Sequence, residues 1–202
     1  MQVPFENVKV TFADRDPLRE AGKAPLGAFP TMEVDGKVVC QTGAIARYCG
    51  KLGGFYPRDD DFAAAKIDEI IDTATDITMV IGPTMFMKDE QEKLAARAEL
   101  CSGKLPKFLE ALEKFLSQNG STGKTEFTAR VPVWGSILGF YVGDKMTIAD
   151  LAVWRLMGWL NGGSLDGIPK TILEPYKLVD AHFKSMDENP QIRAYMKEKY
   201  NK

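Results

Sequence analysis

This sequence of 202 residues has few cysteines, a single histidine and no excess of positively charged residues. The three cysteines, Cys40, Cys49 and Cys101, are odd in number and form no Cys-x-x-Cys pair. This argues against a disulfide framework or a zinc cluster and favours a reducing compartment. We expect the single histidine, His182, to lie on a helix remote from the motifs described below. We interpret it as structural or exposed, so a Ser-His-Asp site has no support.

Charge and hydropathy exclude two further classes of protein. There are 26 Lys and Arg against 28 Asp and Glu, a net charge of −2, so the broad basic surface of many nucleic-acid-binding proteins is missing. No run of about 18 apolar residues occurs, and a membrane span is therefore not expected. The first six residues lack the basic and apolar regions of a signal peptide. These features predict a cytoplasmic globular protein that binds no nucleic acid and has no membrane span.

Hydrophobic periodicity divides the chain near Tyr56-Pro57. Before that point, residues 31–34 and 37–40 alternate around Asp35-Gly36, which predicts a hairpin because type I′ turns need positive φ at both central positions. Residues 45–52 then have helical spacing, and Gly53-Gly54 is typical of a helix end. Upstream of the hairpin, alternation over residues 8–12 predicts a strand. Turn-forming residues predict a loop over residues 16–27.

The remainder of the chain is predicted to be almost wholly helical. Thr147 and Asp150 have the spacing of a capping box at the start of one helix. Asn189-Pro190 is typical of the start of another. Apolar stripes with helical spacing, which we interpret as core, comprise Ile67, Ile70, Ile71, Ala74, Ile77 and Ile81, and then Leu105, Phe108, Leu109, Leu112, Phe115 and Leu116.

Three motifs, in this order, resemble the glutathione transferase family. Phe29-Pro30 directly precedes the first hairpin strand, Gln41-Thr42 lies where the next helix begins, and Thr147 with Asp150 forms the predicted capping box. The segments that are similar to the family's signatures, nearest to its sigma, alpha and pi classes, are 26–30, 34–36, 41–48 and 143–150.

This resemblance implies an α/β plus all-α fold. A thioredoxin-like, incomplete glutathione-binding domain would occupy residues 1–57, and an all-helical domain residues 60–202. It also implies a cytoplasmic, homodimeric detoxification enzyme that conjugates the glutathione thiolate to hydrophobic electrophiles. Peroxide reduction or isomerisation are related possibilities. Glutathione is then a co-substrate, and neither a metal nor a bound cofactor is expected.

The resemblance assigns glutathione binding to Phe29, Pro30, Gln41 and Thr42. A cis bond before Pro30 would turn the Phe29 backbone outward, where it pairs with the cysteinyl part of the tripeptide; a trans proline at a strand edge is the alternative. Thr42 at a helix start would offer its hydroxyl and nearby N–H groups to a carboxylate. With Gln41 it would bind the γ-glutamyl end, whereas the alternative for Thr42 is an N-cap alone.

Further site residues also follow from the resemblance. Asp76 falls where an aspartate of one subunit reaches the γ-glutamyl ammonium bound by the other, so that dimerisation completes the site. Lys23 would bind the glycine carboxylate, and simple exposure to solvent explains it equally well. An apolar electrophile pocket would include Met79, Met85 and Phe86, for which core or dimer-interface packing is the alternative.

Two departures from the family pattern stand out. Residues 3–8 are similar to the entry of the family's second strand, so we expect the first strand-helix unit, with its thiol-activating tyrosine, serine or cysteine, to be absent. No catalytic residue is therefore assigned, and a non-catalytic dimerisation or protein-interaction module is the alternative function. Residues 122–138 replace a short glycine-rich loop by a longer apolar segment. It is a candidate lid, partner-binding loop or segment foreign to the mature protein.

Overall fold

The chain divides into two compact units, Met1–Asp61 and Phe62–Lys202. The computed structural model describes residues 3–119 and 139–200, and the segment predicted as an insertion, 122–138, lies outside them. Within those two ranges no helix has both the length and the apolar character needed to cross a membrane.

The first unit is built around a hairpin. Its elements are α1 (Arg15–Glu20), β1 (Thr31–Val34), β2 (Lys37–Cys40) and α2 (Thr42–Gly53). The strands are antiparallel, with Thr31 opposite Cys40 and Val34 opposite Lys37. Asp35 and Gly36 have φ of 49° and 75°, which confirms the predicted turn. The helix after the hairpin is also confirmed, and its C-cap residue, Gly54, has a φ of 78°.

Two predictions for the segment before the hairpin are wrong. Residues 8–12 form no strand, and Val8 and Phe12 are 68% and 81% exposed. An extended segment becomes a strand only when a neighbour supplies its backbone hydrogen bonds, and the sheet among the described residues contains β1 and β2 alone. Residues 16–20 are helical rather than a loop, because a proline within the first turn of a helix is tolerated.

The second unit is helical, as predicted. Every member of the isoleucine-rich stripe on α3 is buried, and so are the leucines on α5. Asn189 caps the last helix through its side-chain oxygen, which accepts from Gln191 N–H at 2.9 Å. The elements are α3 (Asp61–Ile81), a 3₁₀ helix (Gly82–Phe86), α4 (Glu90–Ser102), α5 (Lys104–Gln118), α6 (Ile148–Asn161), α7 (Lys177–Glu188) and α8 (Pro190–Tyr200).

Asn119 ties together the backbone on either side of residues 120–138. Its Nδ2 donates to the carbonyl oxygens of Phe140 and Gly143 at 2.8 and 2.7 Å. Its Oδ1 accepts from the N–H of Gly143 at 3.3 Å. Because one side chain satisfies three backbone groups, the end of α5 is joined directly to the segment that leads into α6.

Candidate functional site

An open pocket of about 250 Å³ lies in the first unit, where the end of β2, the start of α2 and the segment before β1 meet. The pocket brings together the four residues that the resemblance assigns to glutathione binding: Phe29, Pro30, Gln41 and Thr42. The peptide bond between Phe29 and Pro30 is cis. The lining residues are Leu26, Ala28, Phe29, Pro30, Cys40, Gln41 and Thr42.

The register of the hairpin explains why these residues meet. Thr31 pairs with Cys40, so the residue before the first strand and the residue after the second, Pro30 and Gln41, emerge side by side. α2 begins at the next residue, Thr42, and its first turn therefore faces the same space. A hairpin followed without a linker by a helix is thus sufficient to assemble the pocket.

The start of α2 is suited to bind an anion. The first N–H groups of a helix have no partner within the helix, and they carry its positive partial charge. Gln41, the N-cap residue, makes no side-chain capping bond, and the first turn of α2 contains no acidic residue. Thr42 is exposed and adds a hydroxyl donor at the same place. This end of the pocket therefore favours a carboxylate.

Gln41 has a strained backbone. Its φ of 74° and ψ of 121° are unusual for a residue with a side chain. Such a conformation costs on the order of 1–3 kcal/mol and is concentrated at ligand-binding sites. Here the strain directs the chain from the hairpin into α2 while Gln41 stays at the rim of the pocket.

Replacing Gln41 by glycine is expected to stabilise the protein while weakening its ligand binding. Glycine adopts positive φ without steric cost, so we expect the free energy of unfolding to rise by about 1 kcal/mol after the entropic penalty of glycine. The resemblance, which assigns Gln41 to the γ-glutamyl end of glutathione, also implies a lower glutathione affinity because the amide is lost. Urea unfolding and calorimetric titration measure the two effects. Gln41→Ala is the matched control, which loses the amide but keeps the strain. A Gln41→Gly protein less stable than Gln41→Ala would contradict the assignment of strain.

Lys23 and Asp76 lie outside the set that lines the pocket. The Lys23 ammonium forms an ion pair with the carboxylate of Glu33 on β1, and the two side chains are 45% and 44% exposed. A surface pair of this kind contributes only about 0–1 kcal/mol to stability, so Lys23 can leave Glu33 for another anion at little cost in free energy. Asp76 is an exposed residue of α3, in the second unit.

The residues predicted to form an electrophile pocket are exposed apolar side chains of the second unit. Met79 on α3 is 67% exposed, whereas Met85 and Phe86 on the 3₁₀ helix are 49% and 84% exposed. They therefore do not belong to the buried core, one of the alternatives left open by the sequence.

The capping box of α6 contains a buried carboxylate with an unexpected partner. Asp150 is fully buried and accepts from Thr147 N–H at 2.7 Å, the Thr147 hydroxyl at 3.0 Å and Tyr141 N–H at 2.9 Å. His182 Nε2 lies 3.1 Å from Asp150 Oδ1, the oxygen that also accepts from Tyr141 N–H, whereas Oδ2 accepts both bonds from Thr147. His182 is 1% exposed, and the expectation that it is remote from the motifs is wrong in space because α7 packs on α6.

The burial of His182 had a signal in the sequence. His182 shares a helical stripe with Val179 and Met186, both buried, so a histidine within an apolar face was visible in the spacing. The Tyr141 ring packs edge-on against the imidazole with centroids 4.9 Å apart. Burial raises the pKa of the Tyr141 phenol well above its ordinary value, and the carboxylate of Asp150 adds to the shift. This cluster belongs to the interior of the helical unit.

A group that activates a thiol is not evident in the pocket. The described residues that line the pocket include one with a hydroxyl group, Thr42, and one with a thiol, Cys40, but no tyrosine. In the two described ranges, no group of three or more His, Cys, Asp or Glu side chains is arranged to bind a metal.

Comparisons with known proteins agree on one family. A family model described as the C-terminal domain of glutathione S-transferase matches residues 75–199, more than half of the chain. Glutathione S-transferase 1 of Ascaris suum is 27% identical over 98% of this chain and 85% of that protein. A glutathione S-transferase of Anopheles gambiae is 25% identical over 96% of this chain and 83% of its own length.

Solved structures share the fold. Prostaglandin synthase D of Nilaparvata lugens has a TM-score of 0.75 and 23% identity, over 98% of this chain and 86% of that one. A monomeric glutathione S-transferase from the hookworm Necator americanus has a TM-score of 0.72 and 24% identity, over 97% and 85%. The expected fold, with a small sheet followed by a bundle of helices, is therefore confirmed. Since the helical unit matches the family model and relatives of the same name match nearly the whole chain, the protein belongs to the glutathione S-transferase family.

Proposed function

We propose that this protein binds glutathione in the pocket of its first unit and conjugates the glutathione thiolate to hydrophobic electrophiles in the cytoplasm. The observation that carries the proposal is the convergence of Phe29, Pro30, Gln41 and Thr42 on one pocket at an uncapped helix start. Family membership supports the same activity.

Each part of the tripeptide has a proposed partner. The γ-glutamyl carboxylate binds at the start of α2, where the Thr42 hydroxyl and the free N–H groups donate to it. The Phe29 backbone forms hydrogen bonds with the cysteinyl unit. The Lys23 ammonium leaves the Glu33 carboxylate and forms an ion pair with the glycine carboxylate instead. The γ-glutamyl ammonium is bound by Asp76 from the second subunit of a homodimer. The exposure of Asp76 agrees with this role.

The reaction joins sulfur to carbon. The thiolate attacks an electrophilic carbon, a C–S bond forms, and either a leaving group departs with its electron pair or the adjacent carbanion takes a proton from solvent. A free thiol with a pKa of about 8.5 is only a few per cent ionised at neutral pH, so a thiolate-stabilising donor governs the rate. We assign no residue of this chain to that step. Met79, Met85 and Phe86 provide an apolar surface for the electrophile.

A second candidate function is glutathione binding without turnover, in a dimerisation or protein-interaction module. The absence of a tyrosine from the described residues that line the pocket favours it. The two candidates make the same prediction for binding and opposite predictions for catalysis.

Calorimetric titration with glutathione, followed by a conjugation assay with a chlorodinitrobenzene, tests the proposal. Saturable binding with turnover supports the transferase, and saturable binding without turnover supports the second candidate. Cysteinylglycine, which lacks the γ-glutamyl unit, is the matched control ligand and should bind far more weakly. No saturation with glutathione, or equal binding of cysteinylglycine, would contradict the site. Light scattering measures the proposed dimer independently.

A further inference from the structure

Arg97 is a buried arginine whose bonding partners are all neutral. It lies on α4 and is 2% exposed. Its Nε donates to the Thr84 hydroxyl at 2.9 Å, and one terminal nitrogen donates to the backbone oxygen of Asp166 at 2.9 Å. The other terminal nitrogen donates to the sulfur of Met85 at 3.2 Å. Burial of a guanidinium is costly unless its donors are satisfied, so this arrangement calls for an explanation.

The three bonds connect three segments of the second unit. Thr84 and Met85 belong to the 3₁₀ helix, Arg97 to α4, and Asp166 to the connection between α6 and α7. Thr84 is itself buried, and its hydroxyl donates to the Ile81 carbonyl at 2.8 Å. The planar guanidinium therefore holds the 3₁₀ helix in one orientation against both neighbouring segments.

The bond to Met85 is distinctive because methionine is normally adaptable. Its side chain has three rotatable bonds, and its sulfur is only a weak acceptor. Because Arg97 holds the sulfur, every side-chain atom of Met85 except the terminal methyl group is fixed in position. Met85 nevertheless stays 49% exposed. It thus presents a fixed apolar surface to solvent.

We propose that Arg97 is a positioning residue that sets electrophile selectivity by fixing Met85. This inference rests on the proposed function, in which Met85 forms part of the electrophile surface. A fixed Met85 gives that surface a defined shape at one point, whereas Met79, at 67% exposure on the preceding helix, keeps the freedom of an ordinary methionine. The ligand class concerned is a bulky hydrophobic electrophile, whose fit depends on shape.

Met85→Leu is the central variant, because it removes the sulfur acceptor at an exposed position while it keeps the hydrophobic volume. Arg97→Lys keeps the charge and loses the planar fork. We expect each variant to change the ratio of kcat/KM for a bulky and a small electrophile at least threefold, in the same direction, with the KM for glutathione unchanged. The double variant should change this ratio no more than either single variant does, because both substitutions remove the same interaction. Met196→Leu makes the same chemical change at a half-buried methionine of α8, outside the proposed electrophile surface, and is the matched control that should keep the wild-type ratio.

Methyl NMR of the full chain labelled with ¹³C-methyl methionine gives a readout that does not need turnover. The Met85 methyl, assigned from its loss in Met85→Leu, should be displaced from the random-coil position in the wild type and return toward it in Arg97→Lys. A bulky electrophile should shift it further. A random-coil Met85 methyl in the wild type, or an unchanged ratio in Met85→Leu, overturns the inference. If the NMR shifts occur without turnover, the positioning role stands and the transferase proposal fails.

Discussion

Asp150→Asn is expected to lower the free energy of unfolding by about 3 kcal/mol or more, the largest effect on stability that we predict. Asp150 is fully buried, and its two oxygens serve Thr147, Tyr141 and His182. An asparagine keeps the shape but replaces one acceptor oxygen by an NH₂ group that faces donors. Whichever oxygen is replaced, the bond to Thr147 N–H or the bond to Tyr141 N–H is lost and that N–H group is left unsatisfied, while the Thr147 hydroxyl still caps Ala149 N–H.

Tryptophan fluorescence during urea unfolding measures this effect, because Trp154 and Trp159 lie on α6, the helix whose first turn contains Asp150. Asp144→Asn is the matched control: it makes the same chemical change at an exposed aspartate in the segment before α6. It should alter the stability by no more than about 0.5 kcal/mol. Equal effects of the two variants would mean that the buried network contributes nothing beyond net charge.

Thr42→Val is expected to weaken glutathione binding about 10- to 100-fold. The valine keeps the branched shape and removes the hydroxyl, and a hydrogen bond to a charged group contributes about 1.5–3 kcal/mol, with 1.4 kcal/mol for each factor of ten. Thr42 is exposed, and no side-chain capping bond is present at the start of α2, so the melting temperature should change little. Calorimetric titration and thermal unfolding separate the two quantities.

Thr42→Ser, which keeps the hydroxyl, is the control for the valine variant and should bind within about threefold of the wild type. If serine and valine weaken binding equally, the hydroxyl is not a ligand of the γ-glutamyl carboxylate. If neither weakens it, the helix N–H groups alone bind the anion. Either outcome removes Thr42 from the site without affecting the assignment of the family.

Local patterns in the sequence were sufficient for the hairpin, for α2 and for the helical character of the second unit, but not for α1, which was predicted as a loop. Asp35-Gly36 specifies its turn because few other residues adopt positive φ twice in succession, and the stripe on α3 specifies which face is buried. Residues 8–12 show the limit of such patterns. Alternation indicates which face of a strand is buried, but a strand also needs a neighbour, and the pattern carries no information about that neighbour.

Part of the candidate site was also predictable, because it depends on local structure. Pro30 and Gln41 meet because a short hairpin fixes their register, which is a local property. The strained φ of Gln41 was not predictable, since glutamine has no preference for it. The bonds of Arg97 to Thr84 and Asp166 depend on how three segments pack, and spacing along one helix does not reveal them.

The bonds of Asn119 bear on how this protein can be engineered. Because Asn119 joins the end of α5 to Phe140 and Gly143, the helical unit is already closed at this point by groups outside residues 120–138. These three bonds therefore require no particular sequence in that stretch, and the entropic cost of a longer connection grows only slowly with its length. Asn119 and Gly143 thus give a protein engineer two anchor points that are held together whichever sequence connects them.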